Sequence, residues 1–132
     1  MEDKLWTWLF KWQDHLRLQD WDITIQWVDE LKDGDQTYLG RCDYHTEHNL
    51  AVIRFLSEAG YIRYKEEEGD LAVPPYDPEA TVLHELLHLR FPCINDDKNA
   101  THASLMELGL NRVVAVLMRL SRISEQDAIS RA

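Results

Sequence analysis

The chain has 132 residues, of which 45% are hydrophobic, and its formal net charge at pH 7 is −10. This length and this apolar content are typical of one folded domain spanning residues 1–132, and they exclude a disordered chain. A surface with such an excess of acid repels phosphate backbones, so we expect no nucleic-acid partner.

The first predicted element is an amphipathic helix over residues 3–18. Its apolar side chains recur every three or four positions: Leu5, Trp8, Leu9, Trp12 and Leu16. This spacing places them on one face of a helix. A stripe of tryptophans can bind a ligand, but we expect these residues to pack in the core.

Three features predict a cytoplasmic protein. The acidic residues Glu2 and Asp3 stand where a signal peptide carries basic residues. Cys42 and Cys93 lie far apart in the sequence and form no metal-binding pair, so we expect two reduced thiols. No stretch approaches the roughly 20 apolar residues that cross a bilayer, and we therefore expect no membrane partner.

Three strands are predicted after the first helix. Residues 21–28 alternate between apolar and polar side chains, which is typical of a strand with one buried face. Residues 37–44 and 50–56 are predicted as two further strands. The loop that joins them contains His45 and His48, which we expect to be solvated in a hairpin loop and not to form a second metal site.

Residues 57–76 show the weakest pattern in the chain. They contain the acidic run 66–70 and the pair Pro74-Pro75, without a clear helical or strand period. The sequence therefore predicts either a lid or a plain exposed loop here.

The next predicted helix begins near residue 78. Asp77 is a typical N-cap residue, Pro78 fits the first helical position, and Glu79 places an acid in the first turn. Pro92 is expected to end this helix, because proline cannot continue the backbone hydrogen bonding.

This helix carries the pentapeptide His84-Glu85-Leu86-Leu87-His88. Residues four apart lie one above the other on a helix, so the two imidazoles can bind one ion, with Glu85 about 100° around the axis near a metal-bound water. The surrounding residues are mostly apolar, and burial of two histidines and a glutamate there is costly unless a cation pairs with them. The pattern predicts a zinc site.

A catalytic zinc ion usually has three protein ligands and a water, so a third ligand has to come from elsewhere. The downstream candidates are Cys93, Asp96, Asp97, His102 and Glu107. Cys93 follows the helix end too closely to fold back easily, and the two aspartates belong to a polar turn that we expect to be solvated. His102 and Glu107 remain on a last helix predicted over residues 101–122, whose broad apolar pattern does not choose between them.

The chain resembles the gluzincin metallopeptidases, in which a glutamate on a helix after the HExxH motif is the third zinc ligand. Here Glu107 follows His88 after 18 intervening residues. Thermolysin-like members have an aspartate four residues after that glutamate, whereas this chain has Asn111, whose amide oxygen could still accept the N–H of His84. Small bacterial and phage HExxH proteins with a Glu-x-x-x-Asn helix are a closer match over the motif and the last helix.

This resemblance implies a zinc-dependent peptidase of zincin-like α+β layout: an N-terminal helix, a small sheet of three or more strands, the motif helix and a C-terminal helix. Zinc would be held by His84, His88 and Glu107, and Glu85 would be the general base toward a metal-activated water. A peptide or protein substrate would bind along an edge strand beside the motif helix, toward which strand 51–55 is expected to lead. Apart from the resemblance, a tyrosine of residues 57–76 could donate a hydrogen bond to the oxyanion, and the sequence does not choose among Tyr61, Tyr64 and Tyr76.

Two alternatives stay open. Residues 40–44, the pentapeptide, residues 95–98 and His102 are similar to SprT-like proteases, in which a histidine completes the metal site, and His102 stands 14 positions after His88. The acidic charge argues against the nucleoprotein substrates of that family. The second alternative is a catalytically silent zinc-binding module with a regulatory or interaction function.

Overall fold

The computed structural model describes residues 2–91 and 100–131. In this part of the chain the protein is a mixed α+β structure with four helices and a small three-stranded sheet. The elements in chain order are α1 (Glu2–His15), β1 (Asp22–Val28), β2 (Lys32–Asp33), β3 (Gln36–Thr37), β4 (Gly40–His45), β5 (Leu50–Leu56), α2 (Glu58–Glu68), α3 (Pro78–Arg90) and α4 (Ala100–Arg131). The predicted α+β class is confirmed, whereas a zincin-like arrangement of these elements stays a prediction.

Strand β5 is the centre of the sheet, which has the order β1-β5-β4. It pairs in parallel with β1, so that Ile25 lies opposite Ile53, and antiparallel with β4, so that Cys42 also lies opposite Ile53. The expectation that strand 51–55 leads toward the motif helix is wrong, because β5 is followed by α2 and is the central strand of the sheet. Strands β1 and β4 are the two edge strands of this sheet, and β4 is the one that packs more closely on α3.

One face of the three-stranded sheet is buried under helix α3. Along β5, Ala51, Ile53 and Phe55 are buried, whereas Val52 and Arg54 between them are partly exposed. Helix α3 packs against β4 and β5, and α1 packs against α3. Since directly opposed residues of paired strands share a face, Gly40 and Cys42 of β4 lie on the same side as Phe55 and Ile53.

The tryptophan stripe of α1 faces the core, as expected, with Trp8 and Leu16 half-buried at its margin. Trp12 is 4% exposed, and Leu5 and Leu9 are each 1% exposed. The neighbouring aromatic residues Trp6 and Phe10 are on the outer side of the helix, where their rings contact each other.

The prediction of a lid or exposed loop over residues 57–76 is wrong for its first half, where the chain forms α2. The Ser57 hydroxyl caps this helix by accepting the N–H of Gly60 at 3.1 Å, and it donates to an Asp29 carboxylate oxygen at 2.6 Å. Gly69 ends the helix with a positive φ of 87°. The helical spacing of apolar residues was hard to detect in the sequence, because Gly60 and Tyr61 are the buried residues of α2.

The predicted start of the motif helix is confirmed at Pro78. The Asp77 carboxylate accepts the N–H of Ala80 at 3.2 Å, which is the bond expected of an N-cap residue. Helix α3 ends at Arg90. Pro92, the expected stop, lies outside the described residues.

The chain divides into two compact units, Met1–Arg90 and Phe91–Ala132. Helix α4 is the helix described in the second unit, and its 32 residues exceed the predicted range 101–122. The sequence prediction stopped early because the apolar spacing fades after Ile123 into a polar run. None of the described helices combines the length and the apolar content that crossing a bilayer requires.

A buried carboxylate joins α1 to the first turn of α3. Glu79 is 6% exposed, and one of its oxygens accepts both the indole N–H of Trp12 and the ammonium of Lys11, each at 2.8 Å. The Lys11 ammonium also lies over the Trp12 ring, 4.8 Å from its centroid. This arrangement satisfies an acid that would otherwise be costly to bury.

We predict that Glu79→Ala lowers the free energy of unfolding by about 1–3 kcal/mol, because the buried Trp12 N–H loses its acceptor. Glu79→Gln keeps an acceptor oxygen but removes the charge opposite Lys11, so its loss should be smaller. Chemical denaturation measures both. Equal stability of the Ala variant and the wild type would contradict the assignment.

Candidate metal centre

The pentapeptide lies in the middle of α3, and burial on several sides fixes the direction of its polar side chains. Leu83, Leu86 and Leu87 are at most 1% exposed. The two histidines are half-buried, and Glu85 is 5% exposed. Because the leucines hold the helix against its neighbours, His84 and His88 are left on the side that solvent partly reaches.

The two imidazoles converge on one point. The Nε2 atoms of His84 and His88 are 3.2 Å apart, the ring centroids are 4.9 Å apart, and the ring planes are inclined by 65°. Two nitrogens bound to one tetrahedral zinc ion at the usual bond length lie about 3.3 Å apart. The spacing of the histidine pair is therefore compatible with one zinc ion, and at the same distance one neutral imidazole can donate its N–H to the other.

Glu85 completes the cluster. One potential ligand atom from each of His84, Glu85 and His88 lies within 4.8 Å of the other two, and this is the one such group of three or more among the described residues. Imidazole nitrogen and carboxylate oxygen suit zinc and other first-row ions. The donor set accordingly fits the predicted cofactor, without being specific to zinc.

The edge strand β4 approaches α3 closely at Glu85. A Cβ atom placed on Gly40 would lie 2.6 Å from Thr81 Cγ2 and 3.3 Å from both Cγ and Oε1 of Glu85. The sequence analysis did not predict this contact. It considered Gly40 only as one of residues 40–44, in the comparison with SprT-like proteases. A single glycine within a strand pattern is the available signal, since it often marks a close approach of another group to the backbone.

The next inward-facing residue of β4 is Cys42, which is a free thiol. Burial raises the pKa of this thiol well above its ordinary value, and the nearby carboxylates of Glu85 and Asp43 raise it further. The expected reduced thiol is thus a neutral and poorly reactive one. Cys93 lies outside the described residues.

The third ligand stays a prediction. Glu107 lies on α4 with a partly buried side chain, and Asn111, one turn further, is exposed. His102 is also on α4. All three belong to the second compact unit, whereas the pentapeptide belongs to the first. The other candidates, Asp96 and Asp97, lie outside the described residues.

Two of the three tyrosines considered for an oxyanion already use their hydroxyl hydrogens. Tyr61 donates to the Pro74 carbonyl at 2.7 Å, and Tyr76 donates to the Leu56 carbonyl at 3.0 Å. Their rings stack with centroids 4.8 Å apart in a small core cluster, against which Tyr64 also packs. These contacts give the tyrosines a structural role in anchoring the segment after α2.

The hairpin loop of β4 and β5 holds the other two histidines of interest. His45 and His48 are exposed, and neither belongs to a group of three potential metal ligands within the described part of the chain. The expectation of solvated loop histidines is consistent with this exposure.

Comparison with known proteins adds no assignment. No protein-family model matches the chain, no curated protein matches it, and no solved structure matches it. The functional interpretation consequently rests on the residues and their geometry.

We predict that Cys42 is alkylated far more slowly in the folded protein than in the unfolded one near pH 9, where a thiol with the ordinary pKa of 9.0 is half ionised. The folded state favours the neutral thiol, so this group leaves stability unchanged below its ordinary pKa and lowers it as the pH rises above that value. The measurement is iodoacetamide reactivity against pH, in zinc-free protein carrying Cys93→Ser.

Glu85→Gln should raise the alkylation rate of the folded protein at a fixed pH, because it removes a negative charge that raises the pKa of the thiol. Glu47→Gln, in the exposed hairpin loop, is the control and should leave the rate unchanged, because Glu47 is not among the charges that raise this pKa. The same rate in all three proteins would show that Glu85 does not act on Cys42.

Proposed function

We propose that this protein is a zinc-dependent peptidase in which Glu85 is the general base. The observation that carries the proposal is the convergence of the His84 and His88 Nε2 atoms at 3.2 Å, with the buried Glu85 carboxylate beside them. Structural zinc sites are usually closed by four protein ligands, whereas this group offers two imidazoles and an adjacent acid, which is the pattern of hydrolytic sites.

Each residue has a distinct part in the proposed reaction. His84 and His88 hold the ion through Nε2, and we propose Glu107 as the third ligand. Bound zinc would supply a Lewis acid that polarises the peptide carbonyl and makes water a better nucleophile at neutral pH. Glu85 accepts a proton from the attacking water and donates it to the leaving amine nitrogen.

The position of β4 supports a peptide as the substrate. Among the described strands β4 pairs only with β5, and its inner face lies against Glu85 at Gly40. A peptide that added to β4 as a further strand would lie beside this carboxylate, with its backbone hydrogen-bonded to the strand. A protein or peptide substrate fits this geometry, and it needs no membrane or nucleic-acid surface.

We predict that Glu85→Gln retains zinc but lowers the rate of peptide hydrolysis by roughly two to four orders of magnitude, since the amide cannot accept the proton. Zinc content is measured by elemental analysis, and hydrolysis by a fluorogenic peptide library with and without a chelator. Glu47→Gln, in the exposed hairpin loop, is the matched control. An undiminished rate in Glu85→Gln rejects the general-base assignment.

Replacement of the third ligand should weaken zinc binding by about 10- to 100-fold or more, whatever the substrate proves to be. We predict this loss for Glu107→Ala and not for His102→Ala, using competition with a chromophoric chelator. Glu125→Ala is the control, because Glu125 lies 18 residues further on α4 and therefore on the same helical face. A loss confined to His102→Ala would favour the SprT-like ligand set.

Tight zinc binding without hydrolysis of any peptide in the library would favour the zinc-binding regulatory module. A protein that takes up no zinc when it is offered would overturn both versions of the proposal.

A further inference from the structure

We infer that Gly40 is a positioning residue for Glu85: the missing side chain lets the edge strand approach α3, and this approach sets where the Glu85 carboxylate lies. The inference rests on the proposed function for its catalytic meaning. Its structural content, the dependence of the Glu85 position on residue 40, can be tested independently.

The space at Gly40 is closed on the side of α3 by two different side chains. A Cβ atom there would meet Thr81 Cγ2 at 2.6 Å, a distance that requires something to move, and Glu85 Cγ and Oε1 at 3.3 Å. Thr81 cannot easily rotate away, because its hydroxyl donates to the Asp77 carbonyl at 3.2 Å in the first turn of α3. Any side chain at position 40 therefore pushes β4 and α3 apart or displaces Glu85.

The other side of Gly40 is fixed as well. Gly40 pairs with Phe55 of the central strand β5, and Phe55 is 1% exposed. Movement of β4 alone away from α3 would strain this pairing. The close approach thus has little freedom to relax, and we expect part of the displacement to fall on the Glu85 side chain.

The catalytic meaning follows from where Glu85 has to be. A general base has to lie within hydrogen-bond distance of the proton that it accepts, and a misplacement of about 1 Å can lower a rate by about 100-fold. The same backbone that limits Glu85 is also the strand on which a substrate peptide would lie. Gly40 therefore sets the distance between the proposed base and the proposed substrate strand.

The experiment separates the two contacts by means of Thr81→Ser, which keeps the hydroxyl and its bond to Asp77 but removes Cγ2. Gly40→Ala should lose stability and activity together. In Gly40→Ala/Thr81→Ser the clash with Cγ2 is gone, so the free energy of unfolding should return most of the way to that of Thr81→Ser alone. Hydrolysis should stay about 3- to 10-fold below that of Thr81→Ser, because the contact with Glu85 remains.

Three further measurements make the result decisive. Zinc affinity should stay unchanged in the double variant, since the histidine nitrogens are not touched. Crystal structures of Thr81→Ser and of the double variant, both with zinc, should show the Glu85 carboxylate moved relative to the two Nε2 atoms. Gly60→Ala is the control for lost stability alone, because a Cβ there would lie 2.5 Å from the Asp29 carbonyl oxygen and not against Glu85.

An unmoved Glu85 carboxylate in the double variant would overturn the inference, as would recovery of hydrolysis in step with stability. If Glu85 moves but the wild-type protein hydrolyses no peptide, the positioning role of Gly40 stands and the proposed peptidase function fails.

Discussion

The burial of α3 between the sheet and α1 is the constraint on which the candidate site depends. Leu83, Leu86 and Leu87 fix both the position of the helix and its rotation about its own axis. Once these side chains are buried, the directions of His84 and His88 follow from their spacing of one turn. The spacing therefore brings the imidazoles together, and core packing sets the direction in which they face, so a change that rotated the helix would redirect both histidines at once.

The same helix buries two acids, and the protein stabilises them in different ways. Glu79 receives an indole N–H and an ammonium from α1 on one oxygen, which fixes the start of α3. Glu85 lies against the inner face of β4, beside Gly40 and the neutral thiol of Cys42. The buried Glu79 contacts suit a structural role, whereas the position of Glu85 within the histidine cluster suits proton transfer.

The sequence was most informative where local rules apply. The N-cap at Asp77, the strand at residues 50–56 and the core stripe around Leu9 and Trp12 each depend on the spacing of neighbours in the chain. The contact of Gly40 with Glu85 could not be predicted in this way, because it joins residues 45 positions apart through the packing of a strand on a helix. Helix α2 was missed for another reason: most of its residues are polar, so it has no apolar period to detect.

The tyrosine pair shows how an interpretation from residue type alone can mislead. Tyr61 and Tyr76 are near enough in sequence to the motif to be considered for oxyanion binding. In the structure each hydroxyl donates to a backbone carbonyl, and the stacked rings close a small core with Leu31 and Val73. A phenol that satisfies a buried carbonyl cannot give the same hydrogen to a reaction intermediate.

The parallel pairing of β1 with β5 determines the order in which the sheet can assemble. Both pairings need β5, but they close loops of different length: Leu50 pairs with His45, five residues earlier, and with Asp22, 28 residues earlier. Closing that longer loop costs more chain entropy than closing the hairpin. The hairpin that carries Gly40 is therefore the expected nucleus of the sheet, and β1 joins it as the late strand.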